Sequence, residues 1–135
     1  MTSEKNMNTD RMCFACGSDN PIGLGLQFEF SGENKVKAEF IPGEVHQGFD
    51  GIMHGGLVST LLDEAMAKVI NMKGIRGVTA EMKTRFKHPV KIGINLVVSG
   101  ILKDRYKKII YTEAELKDTS GKLYARAEAK FMPEK

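Results

Sequence analysis

Hydrophobic positions between residues 55 and 72 recur at the spacing of an α-helix. With Leu57 placed at zero degrees and an advance of about 100° per residue, the apolar side chains fall in one broad arc. They are Leu57, Val58, Leu61, Leu62, Ala65, Met66 and Val69. A stripe this wide predicts a helix that is enclosed by other elements, and Lys73-Gly74 predicts its end.

Alternating apolar and polar positions on both sides of this helix predict strands. Residues 24–30 and 35–40 alternate on either side of a turn at 31–34 and predict a first hairpin. Residues 42–53 carry three glycines, one proline, one phenylalanine and one histidine without a regular period, and they predict a loop. The runs that predict strands after the helix are 78–86, 94–102, 109–116 and 123–131, with a hairpin turn at 118–121.

This order of elements predicts an α+β fold with one long central helix wrapped by a five- to six-stranded antiparallel sheet. A sheet that covers one helix leaves its other face poorly covered, which favours an oligomer. The length of 135 residues suits one domain. We assign residues 12–135 to this domain and the polar residues 1–11 to a flexible N-terminal tail.

Composition and charge exclude several classes of function. The chain is 41% hydrophobic and 27% charged, and its net charge of +3 comes from Lys and Arg interspersed with Asp and Glu. No basic block of the kind that binds nucleic acid stands out. No run approaches the roughly 18 apolar residues of a membrane span, and residues 1–11 lack the apolar segment of a signal peptide. We therefore expect a cytoplasmic protein with neither a nucleic acid nor a membrane as partner.

The sequence His54-Gly55-Gly56 leads directly into the predicted helix. Glycines at a helix start expose backbone N–H groups, which carry partial positive charge and can bind a developing oxyanion. Asp63 follows Gly56 by seven residues, nearly two turns, so both lie on the same side of the helix. A polarising helix start and a carboxylate on one face suit the hydrolysis of an activated carbonyl compound.

Two adjacent carboxylates, Asp63 and Glu64, compete for the chemical role. Glu64 has Lys68 four residues later, an arrangement that gives ordinary helix-surface support. Asp63 instead lies in a trough of small residues that leaves room for a substrate. Its neighbours on the helical wheel are Gly56, Ser59 and Ala67. The pattern favours Asp63 as the catalytic carboxylate and Glu64 as a structural one.

Cys13 and Cys16 form a C-x-x-C sequence near the N-terminus. As a zinc site it is half complete, because the chain has no second cysteine pair. As a redox pair it lacks the βαβ context and the helix start that lower a thiol pKa. We interpret the pair as structural thiols and assign no metal site, with a metal shared across a subunit interface and redox chemistry as alternatives.

Three motifs in this order and spacing resemble those of the hotdog-fold acyl-CoA thioesterases, the branch typified by phenylacetate-pathway and related human enzymes. The first is Cys13–Gly17 with Asn20–Leu24, the second is His54-Gly55-Gly56 with Asp63, and the third is Gly77–Glu81 followed by Phe86 and Pro89. The resemblance implies a hotdog fold and a homodimer with active sites at its interface, with homotetramers in many members. It also implies hydrolysis of acyl-CoA to a free acid and a thiol, with no cofactor beyond the coenzyme A of the substrate.

The resemblance further implies roles for individual residues. The Gly56 N–H would polarise the thioester carbonyl, and His54 would position the thioester beside it. Asp63 would reach across the interface as nucleophile or general base, while Thr79 would hold the attacking water or the carboxylate. Substrate contacts are expected from Gly55, Gln47 and Met53.

One position departs from the family pattern. Relatives often carry Asn or Gln six residues before the histidine, where this chain has Gly48 preceded by Gln47. Either Gln47 takes that role through a shift of the loop, or the site works without it. Two other functions stay open, a non-catalytic acyl-CoA-binding module and a hydratase of the same fold. The spacing of His54 and Asp63 does not match the one expected for a hydratase.

Overall fold

The computed structural model describes residues 10–134, which form one α-helix and one six-stranded sheet. The strands are β1 (Glu29–Phe30), β2 (Lys35–Phe40), β3 (Gly77–Phe86), β4 (Leu96–Tyr106), β5 (Ile109–Asp118) and β6 (Leu123–Pro133), and the helix is α1 (Gly55–Asn71). All neighbouring strands are antiparallel, in the order β1-β2-β4-β5-β6-β3. A short 3₁₀ helix, Glu44–His46, lies in the loop before α1. This arrangement confirms the predicted α+β fold with one central helix.

Helix α1 is enclosed by the sheet, as its wide apolar stripe predicts. Its side chains at Leu61, Leu62, Ala65, Met66, Val69 and Ile70 are fully buried. The closest approach to the sheet is at Gly100 of β4, where a Cβ atom would lie 2.3 Å from the carbonyl oxygen of Ala65. Only a residue without a side chain lets the helix backbone lie this close to the strand.

The first strand, β1, is much shorter than the alternation of residues 24–30 predicts. Leu24 and Leu26 are buried as expected, but only Glu29 and Phe30 pair with β2. The backbone N–H groups of Leu24 and Leu26 donate instead to the carbonyls of residues 14 and 15. Gly25 between them has a φ of +66°, which interrupts an extended strand. The N-terminal loop therefore takes the hydrogen bonds that a longer β1 would have made.

Strand β3 lies at one edge of the sheet, and Val78 and Phe86 on it are each 55% exposed.

Residues 1–9 of the predicted tail lie outside the described residues, whereas Asp10 and Arg11 belong to a turn. Within residues 10–134, no helix has the length and apolar character needed to cross a membrane.

Candidate active site

His54 caps the N-terminus of α1 with its imidazole ring. The residue has an extended backbone, and its Nδ1 atom accepts a hydrogen bond from the Gly56 N–H at 2.8 Å. Its own N–H donates to the carbonyl of His46 at 2.8 Å, which ties the cap to the preceding loop. Because Nδ1 is the acceptor, the neutral ring carries its proton on Nε2. The structure thus leaves His54 with one ring N–H to donate to a ligand.

The two glycines of the motif differ in their backbone hydrogen bonds. The Gly56 N–H is engaged by His54, whereas the Gly55 N–H, at the first position of the helix, has no acceptor within residues 10–134. The first N–H groups of any helix lack an intrahelical partner. For Gly56 to polarise a carbonyl, as the family resemblance implies, the His54 ring would have to release it.

Asp63, near the middle of α1, contacts Thr79 of β3. The Thr79 hydroxyl donates to Oδ1 of Asp63 at 2.8 Å, although the two residues come from different elements. A β-bulge in β3 makes this contact possible. Thr79 pairs with Phe131 and Glu81 with Lys130, so Ala80 is an extra residue in the ladder. The bulge shifts the alternation and puts both Thr79 and Met82 on the face towards α1.

A cavity of about 750 Å³ opens beside the helix start. His54 and Gly55 lie at its wall, and most of its other lining residues are apolar. They include Phe49, Ile52, Met53, Val58, Phe86 and Val90. Met53 lines this cavity and is buried, whereas Asp63 and Thr79 do not line it.

The side chain of Gln47 is hydrogen-bonded within its own loop. Its side-chain Oε1 accepts from the Gly51 N–H, and its Nε2 donates to the Glu44 carbonyl at 3.0 Å. These bonds use one of the two Nε2 hydrogens and one lone pair of Oε1, and they hold the amide group in the loop. The glycine at position 48 is explained by packing, because a Cβ atom there would lie 3.2 Å from the Cα of His54.

Glu64 does not have the partner that its sequence spacing predicts. Among the ion pairs of residues 10–134, none joins Glu64 to Lys68, although the Lys68 charge acts on it from a greater distance. Burial raises the pKa of Glu64, and its carboxylate has a hydrogen bond with Cys16. The i, i+4 spacing cannot reveal this contact, because Cys16 lies 48 residues away in sequence.

Comparison with known proteins places this chain in a family. The family model described as "Thioesterase superfamily" matches residues 50–125, more than half of the chain. The chain belongs to the thioesterase superfamily. It is 32% identical over 95 residues to human acyl-coenzyme A thioesterase 13, covering 68% of each chain. His54, Gly55, Gly56 and Asp63 all lie inside the matched range.

Solved structures of thioesterases share the fold of this chain. A thioesterase superfamily protein has a TM-score of 0.85 at 24% identity, over 90% of this chain and 60% of its own. A hypothetical thioesterase from Streptococcus pneumoniae, solved with coenzyme A, has a TM-score of 0.75 at 18% identity. That match covers 80% of this chain and 87% of the other. At these identities the likeness shows the hotdog fold of the thioesterase superfamily, and the chemistry must be argued from the site.

Proposed function

We propose that this protein hydrolyses acyl-CoA thioesters to a free acid and coenzyme A. The observation that carries the proposal is the pair of half-sites on α1, a helix start with a free Gly55 N–H and an Asp63 carboxylate held by Thr79. Family membership and the human acyl-coenzyme A thioesterase support the reaction class. The coenzyme A bound to the pneumococcal protein supports the same ligand chemistry.

The distance between the half-sites favours an active site built from two subunits. Gly55 and Asp63 are eight residues apart on one helix, which corresponds to about 12 Å along its axis. A carbonyl held by the Gly55 N–H would need its attacking atom within about 3–3.5 Å. Asp63 of the same chain is too far away for that, even with its side chain tilted towards the helix N-terminus. A second copy must therefore supply the carboxylate.

Strand β3 offers the means of bringing in that second copy. Near its start, Thr79 contacts Asp63, and at its end the ring of Phe86 lies 3.8 Å from the position of a Cβ on Gly55. Within residues 10–134 its outer edge presents unpaired backbone N–H and C=O groups, and Val78 and Phe86 on this strand are each 55% exposed. Antiparallel pairing of two β3 edges about a two-fold axis would exchange their ends. Asp63 of one copy would then lie beside Gly55 of the other, and a lone monomer would be inactive.

In this site the Gly55 N–H and the Nε2–H of His54 would donate to the thioester carbonyl oxygen. This modifies the expected role of Gly56, whose N–H is held by Nδ1 of His54. Gly56 instead fixes the tautomer and the orientation of the ring. Asp63 would act as general base on a water or as the nucleophile, and both routes end in acid and free thiol. Thr79 would be a positioning residue that leaves Oδ2 of Asp63 to face the substrate.

The cavity beside His54 supports a proposal for the class of acyl group. It is mostly apolar, and Phe49 and Phe86 border it. A volume near 750 Å³ is in the range of pockets that take drug-sized ligands. We propose that it binds the acyl chain, with the carbonyl at the His54–Gly55 end. Medium-length or aromatic acyl groups fit this cavity better than an acetyl group.

Hydrolysis of a panel of acyl-CoAs that differ in length and aromaticity tests the proposed function. We expect release of free thiol with kcat/KM rising from acetyl-CoA to medium-chain or arylacetyl-CoA, because apolar burial grows with the acyl group. Enoyl-CoA hydration is measured on the same preparation. Binding without hydrolysis would indicate an acyl-CoA-binding module, and hydration without thiol release would indicate a hydratase. Either outcome would contradict the proposal.

Replacing Gly55 with proline tests the helix-start donor. Proline has no N–H but is favoured at the first helical position, and the extended His54 backbone suits the residue that precedes it. We expect kcat to fall on the order of 10²–10³-fold, as for the loss of one oxyanion donor. The helix content by circular dichroism should stay the same. Full activity of Gly55→Pro would exclude this N–H from the reaction.

Replacing Thr79 with valine removes its hydrogen bond to Asp63 and keeps the shape of the side chain. A hydrogen bond to a charged group is worth about 1.5–3 kcal/mol, so kcat should fall about 10- to 150-fold. KM should change little, and Thr79→Ser should restore most of kcat. Thr84→Val is the matched control, because Thr84 lies on the same face of β3. An equal loss in Thr84→Val would point to a general effect on the strand.

A further inference from the structure

The N-terminal loop folds the two cysteines into a tight knuckle. The Cys16 N–H donates to Sγ of Cys13 at 3.5 Å, and the Gly17 N–H donates to the Cys13 carbonyl at 2.8 Å. A Cβ atom on Gly17 would lie 2.4 Å from the backbone nitrogen of Cys13, so only glycine fits after the second cysteine. This backbone directs both thiols to one side of the loop.

Glu64 lies on the side of α1 that faces these two cysteines. One carboxylate oxygen of Glu64 and the Sγ atoms of Cys13 and Cys16 all lie within 4.8 Å of one another. Two sulfur ligands on a tetrahedral zinc ion, at about 2.3 Å from the metal, are separated by about 3.8 Å. Small rotations of the three half-buried side chains would therefore close the cluster around one ion.

The charges of the cluster match those of a divalent cation. Burial raises the pKa of the Cys16 thiol, which is the opposite of what a reactive redox thiol needs. Two thiolates and a carboxylate carry three negative charges, which a divalent ion together with the nearby Lys68 ammonium would balance. A bound cation also deprotonates coordinating thiols, which removes the penalty that burial imposes.

We propose that Cys13, Cys16 and Glu64 bind a divalent cation of the zinc class, with water in the fourth position. The two sulfur ligands select a borderline-soft ion over Mg²⁺ or Ca²⁺. The site is separate from the Asp63–Thr79 pair and does not depend on the proposed reaction. Its ion would fasten the N-terminal loop to α1 one residue away from Asp63. Glu64, the carboxylate that catalysis does not use, supplies the ligand that a C-x-x-C pair lacks.

The test uses the full chain, reduced, stripped of metal with a chelator and then titrated with Co²⁺ and Zn²⁺. Wild-type protein should bind one equivalent, and Co²⁺ should give the intense near-ultraviolet band of cobalt–thiolate ligation. Loss of even an outer-shell partner weakens metal sites about 10- to 100-fold, so Cys16→Ser should weaken Zn²⁺ binding by at least about 100-fold. Glu64→Gln, which keeps both thiols, should weaken it at least about 10-fold. Asp19→Asn removes an exposed acid of the same loop and should bind Zn²⁺ like the wild type.

A second measurement on the wild type stands even if Cys16→Ser fails to fold. Zn²⁺ at one equivalent should protect both thiols from alkylation and raise the thermal unfolding midpoint, because an ion that binds only the folded state stabilises it. Unchanged alkylation, absence of the thiolate band, or equal Zn²⁺ affinity in wild type and Glu64→Gln would each overturn the proposal.

Discussion

Replacing Asp63 with asparagine should lower kcat for acyl-CoA hydrolysis on the order of 10³-fold, within the range that a general base contributes. Asparagine keeps the size of the side chain and can still accept the Thr79 hydrogen bond, but it can neither take a proton from water nor attack the carbonyl. KM should stay close to the wild-type value, because the acyl cavity does not include Asp63. Steady-state thiol release with a saturating acyl-CoA measures the loss.

Asp104→Asn is the control for this substitution. It removes an exposed carboxylate on β4 that accepts a hydrogen bond from the neighbouring Arg105 N–H and does not line the acyl cavity. It should leave kcat within about twofold, since surface changes away from a site have little effect. If Asp63→Asn retained near-normal kcat, the carboxylate would have no part in the chemistry.

Gly100→Ala should lower the free energy of unfolding by about 3 kcal/mol, the upper end of the usual range for overpacking. The added Cβ would lie 2.3 Å from the carbonyl oxygen and 2.6 Å from the carbonyl carbon of Ala65. These atoms belong to the helix backbone and cannot rotate away, so α1 as a whole must shift on β4. Urea unfolding followed by circular dichroism measures the change.

Gly43→Ala is the matched control for Gly100. A Cβ at Gly43 would have its nearest neighbour 4.0 Å away, and Gly43 has an ordinary negative φ. Its free energy of unfolding should change by less than about 1 kcal/mol, as for a compatible glycine-to-alanine substitution. Equal stability of Gly100→Ala and the wild type would mean that the helix does not pack on β4 as closely as described.

The helix and most of the sheet could be predicted because their signals are local. The apolar period of 55–72 matches α1 (Gly55–Asn71), and the alternation of 78–86 matches β3 (Gly77–Phe86). Residues 24–28 alternate equally well, yet the N–H groups of Leu24 and Leu26 bond to the N-terminal loop and not to a strand. Alternation shows which face a residue occupies but not which backbone will pair with it.

Less of the candidate site could be predicted, because its contacts also depend on which distant parts of the chain meet. Strict alternation along β3 would put Thr79 and Met82 on opposite faces, and only the bulge at Ala80 brings Thr79 to Asp63. The His54 ring accepts a hydrogen bond from the Gly56 N–H and not from the Gly55 N–H, and this difference depends on the rotamer of His54. The contact of Glu64 with Cys16 joins distant parts of the chain. Motifs identified the residues, whereas tertiary contacts assign their partners.

Activity of a mixed oligomer made from Gly55→Pro and Asp63→Asn chains tests most directly whether two subunits share one thioesterase site. Each parent protein should be nearly inactive. Unfolding and refolding the two together at equal amounts should make half of the dimers mixed, and each mixed dimer has one site with both defects and one intact site. The mixture should recover about a quarter of wild-type kcat per dimer. Thiol release that stays at the level of the parents, with mixed dimers present by mass spectrometry, would contradict the account.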